Sequence, residues 1–351
     1  MDFEIVRSID GLDAGASYKK LDLHVHSPLS HDTHKDWRDK TPRDLVAHAL
    51  DAGLDAIAIT DHNTAGWCDR VTKAADGKGL TIFPGVEITT DTGHLLAIFE
   101  PGYPSESIAD LLISAGIPRA EHGSPDAQSS LRMEALAQVI EAAGGVAIAA
   151  HVDGPAGFLE LAKTAKRRKA IYAAEAIRGF EVKLLENTEW LRDGSKSGYP
   201  RRVACIQGSD SYPARGSSHR IDAVGRRFTL MKLGELTIRA LKQALADPTL
   251  RVRFMNDQPL QPEVVIQGVS ASGGFLDGQV LRFSPEISAL IGGTGTGKSL
   301  TIELIRLALD QQTPPVLTAI SEEVASRLAD AMGDSASVHV LIAKGADRYV
   351  V

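Results

Sequence analysis

The chain has 351 residues, 43% of them hydrophobic and 24% charged, with a formal net charge of −7. This composition excludes wholesale disorder, and the negative balance excludes a protein that coats nucleic acid through a broad basic surface. No apolar run approaches the roughly 20 residues that cross a bilayer, and the opening MDFEIVRSID lacks the basic-then-apolar order of a signal peptide, so a cytoplasmic protein without a membrane partner is expected.

The length suits about two or three domains. From residue 20 to about 254, short apolar runs alternate with helix-like stretches, the pattern of β/α units around a parallel sheet or barrel. Strands are expected at 21–25, 56–60, 81–83, 95–99, 146–150, 179–182, 203–207 and 227–231. Thr41 and Pro42 offer an N-cap and a first-turn proline for a helix toward Ala52, and further helices are expected near 108–115, 130–143 and 235–246. Cys68 and Cys205 are the only cysteines, without CxxC spacing, and read as buried free thiols. The run 163–169 holds five basic residues and no acid, which fits a solvated helix face or one wall of a basic groove. The polar, proline-bearing stretch 255–263 marks a boundary, giving domains 1–258 and 259–351. Beyond it, strands are expected at 264–269, 280–283 and 287–291, and a helix at 299–310.

Within the first domain, Asp22-Leu-His-Val-His26 places His24 and His26 on one side of a strand, a spacing that serves either a metal or a polar core. Residues further along the chain favour metal. His31 lies five residues after His26, His62 follows Asp61 at a strand end, Glu87 follows Gly85-Val86, His94 precedes a strand, His151 directly follows one, and Asp210 follows another. In a barrel, strand ends converge on one face, and mixed imidazole and carboxylate donors suit zinc, manganese or iron. Surplus His34 and His122 read as surface or loop residues.

The ordered motifs DLHVHS, TDH, GVE, GHLLAIF, AHVDG and GSDS resemble the PHP family, named for polymerase and histidinol phosphatase, over about residues 20–254. The resemblance implies an irregular seven-stranded β/α barrel with two or three divalent metals, and hydrolysis of a phosphoester carried by His24, His26, Glu87 and Asp210. It also implies that Asp61 orients a histidine rather than binding metal. The family ends its last motif in Asp-x-His, where this chain has Asp210-Ser-Tyr212. His219, six residues before Gly225, is the expected replacement after a loop insertion at about 211–218; otherwise one metal position is weakened or two metals suffice.

In the second domain, Gly292-Gly293-Thr294-Gly295-Thr296-Gly297-Lys298-Ser299 matches GxxxxGK[ST] between an expected strand and helix. Its amides would cradle phosphates, Lys298 would reach the outer ones, and Ser299 would hold magnesium, making ATP with Mg the expected cofactor. The surrounding string is similar to the first lobe of ABC-type ATPases of the SMC and RecF kind. Residues 311–351 show neither paired acids after an apolar run nor an LSGG-like signature, so the chain is expected to be the front of a longer protein. The domain order resembles that of PHP-ATPase antiphage proteins. It implies a nuclease acting on DNA or RNA, regulated by an ATPase module that forms homo-oligomers, with a place in phage defence. A small-molecule phosphomonoesterase and a non-catalytic scaffold are the alternatives.

Overall fold

A computed structural model describes residues 3–184, 189–211, 219–257, 262–311, 318–333 and 335–351. The chain divides into two compact units, Tyr18–Gln258 and Met1–Ser17 with Pro259–Val351. Residues 1–17, expected with the barrel, belong to the second unit. The helix Phe3–Asp10 turns fully buried Ile9 onto Gly268, where even a methyl group would collide with it.

The larger unit is built on one sheet of nine strands. They are β1 (Ser17–Val25), β2 (Ala56–Ile59), β3 (Thr81–Thr90), β4 (Gly93–Ile98), β5 (Val146–Ala149), β6 (Ile177–Glu181), β7 (Ala204–Ile206), β8 (Thr229–Leu233) and β9 (Val252–Phe254). Their order is β7-β6-β5-β4-β3-β2-β1-β8-β9. The pairs β1–β2, β2–β3, β5–β6 and β6–β7 are parallel, while the hairpin β3–β4 and the pairs β4–β5 and β8–β9 are antiparallel. Thr229 of β8 takes a hydrogen bond from the Gln207 amide beyond β7, so the two halves of the sheet approach and the barrel nearly closes. The seven expected strands are thus corrected to nine. β9 is only three residues long, too short to show a period, and β8–β9 adds to the sheet beyond β1.

Local chemistry explains the parts that position the site. β2 reads AIAI and is buried throughout, as a strand covered on both faces must be. The helix Pro42–Asp51 starts in a capping box, with the Thr41 and Asp44 side chains each serving the other's amide. On β1, Leu21 and Leu23 join a buried cluster with Phe83, Ile148 and Ile206, which leaves Asp22 and His24 together on the other face.

The smaller unit holds β10 (Val264–Ser272), β11 (Val280–Arg282), β12 (Ser337–Lys344) and β13 (Asp347–Val350) in the antiparallel order β11-β10-β12-β13, with helices Lys298–Ala308 and Thr318–Met332. Two expected strands and the helix at 299–310 are found within a few residues. The strand expected at 287–291 is not: the segment is irregular, Ile287 is 81% and Ile291 95% exposed, and no described strand pairs with it. β-branched residues alone do not make a strand without a ladder partner. No described helix is long and apolar enough to cross a membrane.

Candidate metal centre

Five histidines crowd one carboxylate. Glu87, fully buried on β3, has its Oε2 3.1 Å from His24 Nε2, 3.2 Å from His26 Nε2 and 3.3 Å from His62 Nδ1, and its Oε1 2.9 Å from His94 Nδ1 and 3.1 Å from His151 Nε2. The elements explain the convergence. His24 and His26 straddle the end of β1, His62 forms an isolated parallel bridge with Glu87, and His151 follows β5. His94 stands at the start of β4, and because β4 returns antiparallel to β3, its first residues lie beside the last residues of β3, with His94 opposite Thr89.

Around this centre lie four more acids. Asp210, just past β7, accepts a hydrogen bond from His219 Nε2 and lies 3.8 Å from His26 and 3.9 Å from His151. Asp32 meets His62 Nε2 at 3.0 Å and His219 Nδ1 at 3.2 Å, and Ser30 donates to it at 2.7 Å. Glu181, the last residue of β6, accepts from His24 Nδ1 at 2.7 Å and from the His151 amide at 3.0 Å. Asp61 accepts from the amide and hydroxyl of Ser27, both at 2.6 Å, and thus fixes the turn that follows His26 rather than entering the cluster.

Of the residues singled out from sequence, His24, His26, His62, Glu87, His94, His151, Asp210 and His219 come together. His31 is exposed and stands at the rim, its ring centroid 4.9 Å from that of His62. Tyr212 and most of the expected insertion lie outside the described residues. Sequence reasoning missed Glu181 and Asp32. A carboxylate ending an apolar strand was a readable signal for Glu181; Asp32, beside His31 in a polar loop, offered none.

Burial and charge are balanced against each other here. Burial alone would lower His24 and His62, but the charges of Glu181, Glu87 and Asp210 lift His24 well above its usual value, and Glu87 with Asp32 lifts His62 to about 9. His26 goes the other way, to about 4, through burial and then the nearby His219. Burial would raise Glu87, yet His62, His24 and His94 hold it well below the ordinary range. One pairing and three atoms are wrong for hydrogen bonding alone. His24 Nε2 and His26 Nε2 face each other at 3.1 Å while both address the same carboxylate oxygen, and among the described residues His62 Nδ1, His151 Nδ1 and Glu181 Oε1 are buried with no hydrogen-bond partner. Converging lone pairs and unmet buried atoms form a set of groups that could hold a cation.

The family model of the PHP domain matches residues 22–115. That stretch is similar to a PHP domain. An error-prone DNA polymerase of Symbiobacterium thermophilum is 34% identical over 95 residues, 26% of this chain and 8% of the polymerase. A 5′-3′ exoribonuclease of Haemophilus influenzae is 30% identical over 126 residues, 30% of this chain and 44% of that protein. The chain therefore spans less than half the length of these two relatives. Among solved structures, the lesion-specific endonuclease Q of Pyrococcus furiosus aligns over 89% of this chain and 84% of its own at 14% identity, with a TM-score of 0.51. An endonuclease Q complex with a 27-mer duplex bearing an abasic lesion at the active site aligns over 66% of this chain and 57% of its own at 18% identity, with a TM-score of 0.50. These two likenesses show the fold alone, a nearly closed, mostly parallel sheet of the same kind.

In the smaller unit, Thr294–Ser299 lines a cavity of about 750 Å³ shared with Phe275, Arg327 and Leu328. Lys298 Nζ folds back on its own loop, bonding the Gly293 carbonyl and lying 3.3 Å from the Thr296 hydroxyl. Gly297 takes a φ of 87°, open to glycine, just before the helix begins.

Proposed function

We propose that the larger unit is a metal-dependent phosphodiesterase acting on nucleic acid, with His24, His26, Glu87, His94, His151 and Asp210 as the core ligand set and His62, Asp32, His31 and His219 extending it. The observation that carries this reading is Glu87 shared among five histidines, which as a purely protonic arrangement leaves buried nitrogens unmet. Two or three divalent cations held there would lower the pKa of a bound water and offset the charge of a phosphate. The chain's own part is orientation: Glu181 accepts a hydrogen bond from His24 Nδ1–H, which leaves Nε2 facing the cluster, and Asp61 fixes the backbone after His26. The relatives described as polymerase, exoribonuclease and endonuclease support a nucleic-acid substrate. We extend the proposal to ATP with Mg at the P-loop of the smaller unit, through Lys298 and Ser299.

One observation favours the rival reading, a small phosphomonoester. Arg167 is tied to Glu134 and Asp91, Arg168 donates to the Ala162 carbonyl, and Arg201 donates to the carbonyls of Tyr172, Ala174 and Ile177. Arg167 and Arg168 of the basic run 163–169, like Arg201, are therefore spent on holding the fold, although Lys163, Lys166 and Lys169 remain exposed. The two readings separate when the full chain, loaded with manganese, zinc or iron, is assayed on labelled single-stranded DNA and RNA and on a small phosphomonoester at two salt concentrations. Strand cleavage that falls with salt and vanishes in Asp210→Ala is expected. Faster monoester turnover, indifferent to salt and to Lys166→Glu with Lys169→Glu, replaces the nuclease reading with the phosphatase. Full hydrolysis in metal-depleted Asp210→Ala overturns both.

A further inference from the structure

Away from the histidine cluster, three arginines from three separate segments meet over one cavity of about 320 Å³, lined by Arg192, Asp193, Arg202, Pro248, Thr249 and Arg253. Arg192 lies on the helix Glu189–Asp193, Arg202 just before β7, and Arg253 in the middle of β9. Since Arg202 precedes β7 and Asp210 follows it, the strand separates this cavity from the cluster.

The three are held differently. Arg192 is half-buried with its guanidinium 4.7 Å from the centre of the Phe254 ring, which fixes the plane of the group without using its N–H donors. Arg253 spends one donor on the Thr249 carbonyl at 3.0 Å. Arg202 is exposed. Neither the Arg192 nor the Arg202 side chain donates a hydrogen bond to any described residue. The one carboxylate in the cavity, Asp193, accepts from the Ser195 amide at 2.7 Å and offsets a single charge. Like charges gathered in a partly buried cavity repel one another, and their planar donor forks match the oxygens of a phosphate.

We infer that the cavity bounded by Arg192, Arg202 and Arg253 is a binding site for a phosphate group, separate from the metal centre. Its occupant is a phosphate of a polynucleotide strand or a free polyphosphate anion; both present the same tetrahedral, multiply charged oxygens. The inference rests on the residues of the cavity and not on the hydrolytic reading, so it is tested without metals.

The full chain carrying Lys298→Ala, which removes the P-loop lysine, is titrated calorimetrically with pyrophosphate in the presence of a chelator. Saturable binding of one equivalent is expected, weakened at least about tenfold by Arg202→Gln, as the loss of a charge-assisted hydrogen bond implies. Arg192→Gln should weaken it further. Because Arg202 is exposed, its replacement keeps the fold even if Arg192→Gln does not, and circular dichroism checks both. Absence of saturable binding, or binding unchanged by Arg202→Gln, overturns the inference. A 5′-phosphorylated oligonucleotide then identifies the source: competition with pyrophosphate assigns the site to a strand, and its absence assigns it to the free anion.

Discussion

At the scale of single residues, the site depends on groups whose work is to aim other groups. Glu181 holds His24 by its Nδ1 and the backbone of His151 by its amide, two contacts that neutral glutamine would weaken. Glu181→Gln should therefore lower metal affinity about 10–100-fold, as outer partners of histidine ligands commonly do, while leaving the unfolding midpoint of the metal-free chain nearly unchanged. Metal content measured by mass spectrometry after dialysis against graded chelator decides it, and undiminished retention removes Glu181 from the centre. The histidines were legible because imidazoles set beside apolar strand runs have a recognisable period. Asp32 was not, since its place between His62 and His219 depends on how a polar loop folds over the strand ends.

At the scale of elements, β1 and the turn after β7 approach closely enough that only glycine fits at position 208. A Cβ there would lie 2.9 Å from His24 Cβ, 3.2 Å from Asp22 Oδ1 and 3.2 Å from Glu181 Oε1. Gly208→Ala should thus cost about 1–3 kcal/mol of stability and reduce metal content by displacing His24, whereas Gly234→Ala, with no atom within 4 Å, should do neither. Denaturant melts of the two variants make the comparison, and equal melts would show that the turn yields freely. The alternation of strands and helices was readable from apolar period. The direction of β4 was not, because hairpin and crossover both satisfy the same alternation until the two-residue turn between Thr90 and Gly93 is considered. The false strand at 287–291 has the opposite cause: its residues favour a sheet, but pairing is a property of neighbours.

At the scale of the molecule, the chain divides into two compact units, and the two chemistries proposed for them should separate experimentally. Lys298→Ala is expected to abolish ATP binding in a fluorescent-nucleotide titration and to leave metal content unchanged. The full chain should bind ATP with little turnover, since residues 311–351 present no paired acids after an apolar run. Turnover near 1 per second or faster, lost in Lys298→Ala, would reveal a catalytic acid elsewhere. The GxxxxGK[ST] match was legible because it lies in eight consecutive residues, 292–299. The sheet around it was not, because β10 pairs with β12 across about seventy positions that no local pattern records.

The β3–β4 hairpin also sets an order of events during synthesis. Glu87 and His94 meet through a turn of two residues, a search completed in microseconds, whereas His26 and His219, whose rings lie 4.5 Å apart, are separated by nearly the whole barrel sequence. On a growing chain, the carboxylate at the heart of the site is in place long before its last partners exist. Each histidine that arrives adds a donor to a pocket still open to water, and only after His219 is made does Asp210 gain its imidazole partner. On the proposed reading, cation capture belongs to the end of biogenesis, and a chain stalled before residue 210 would hold metal only loosely.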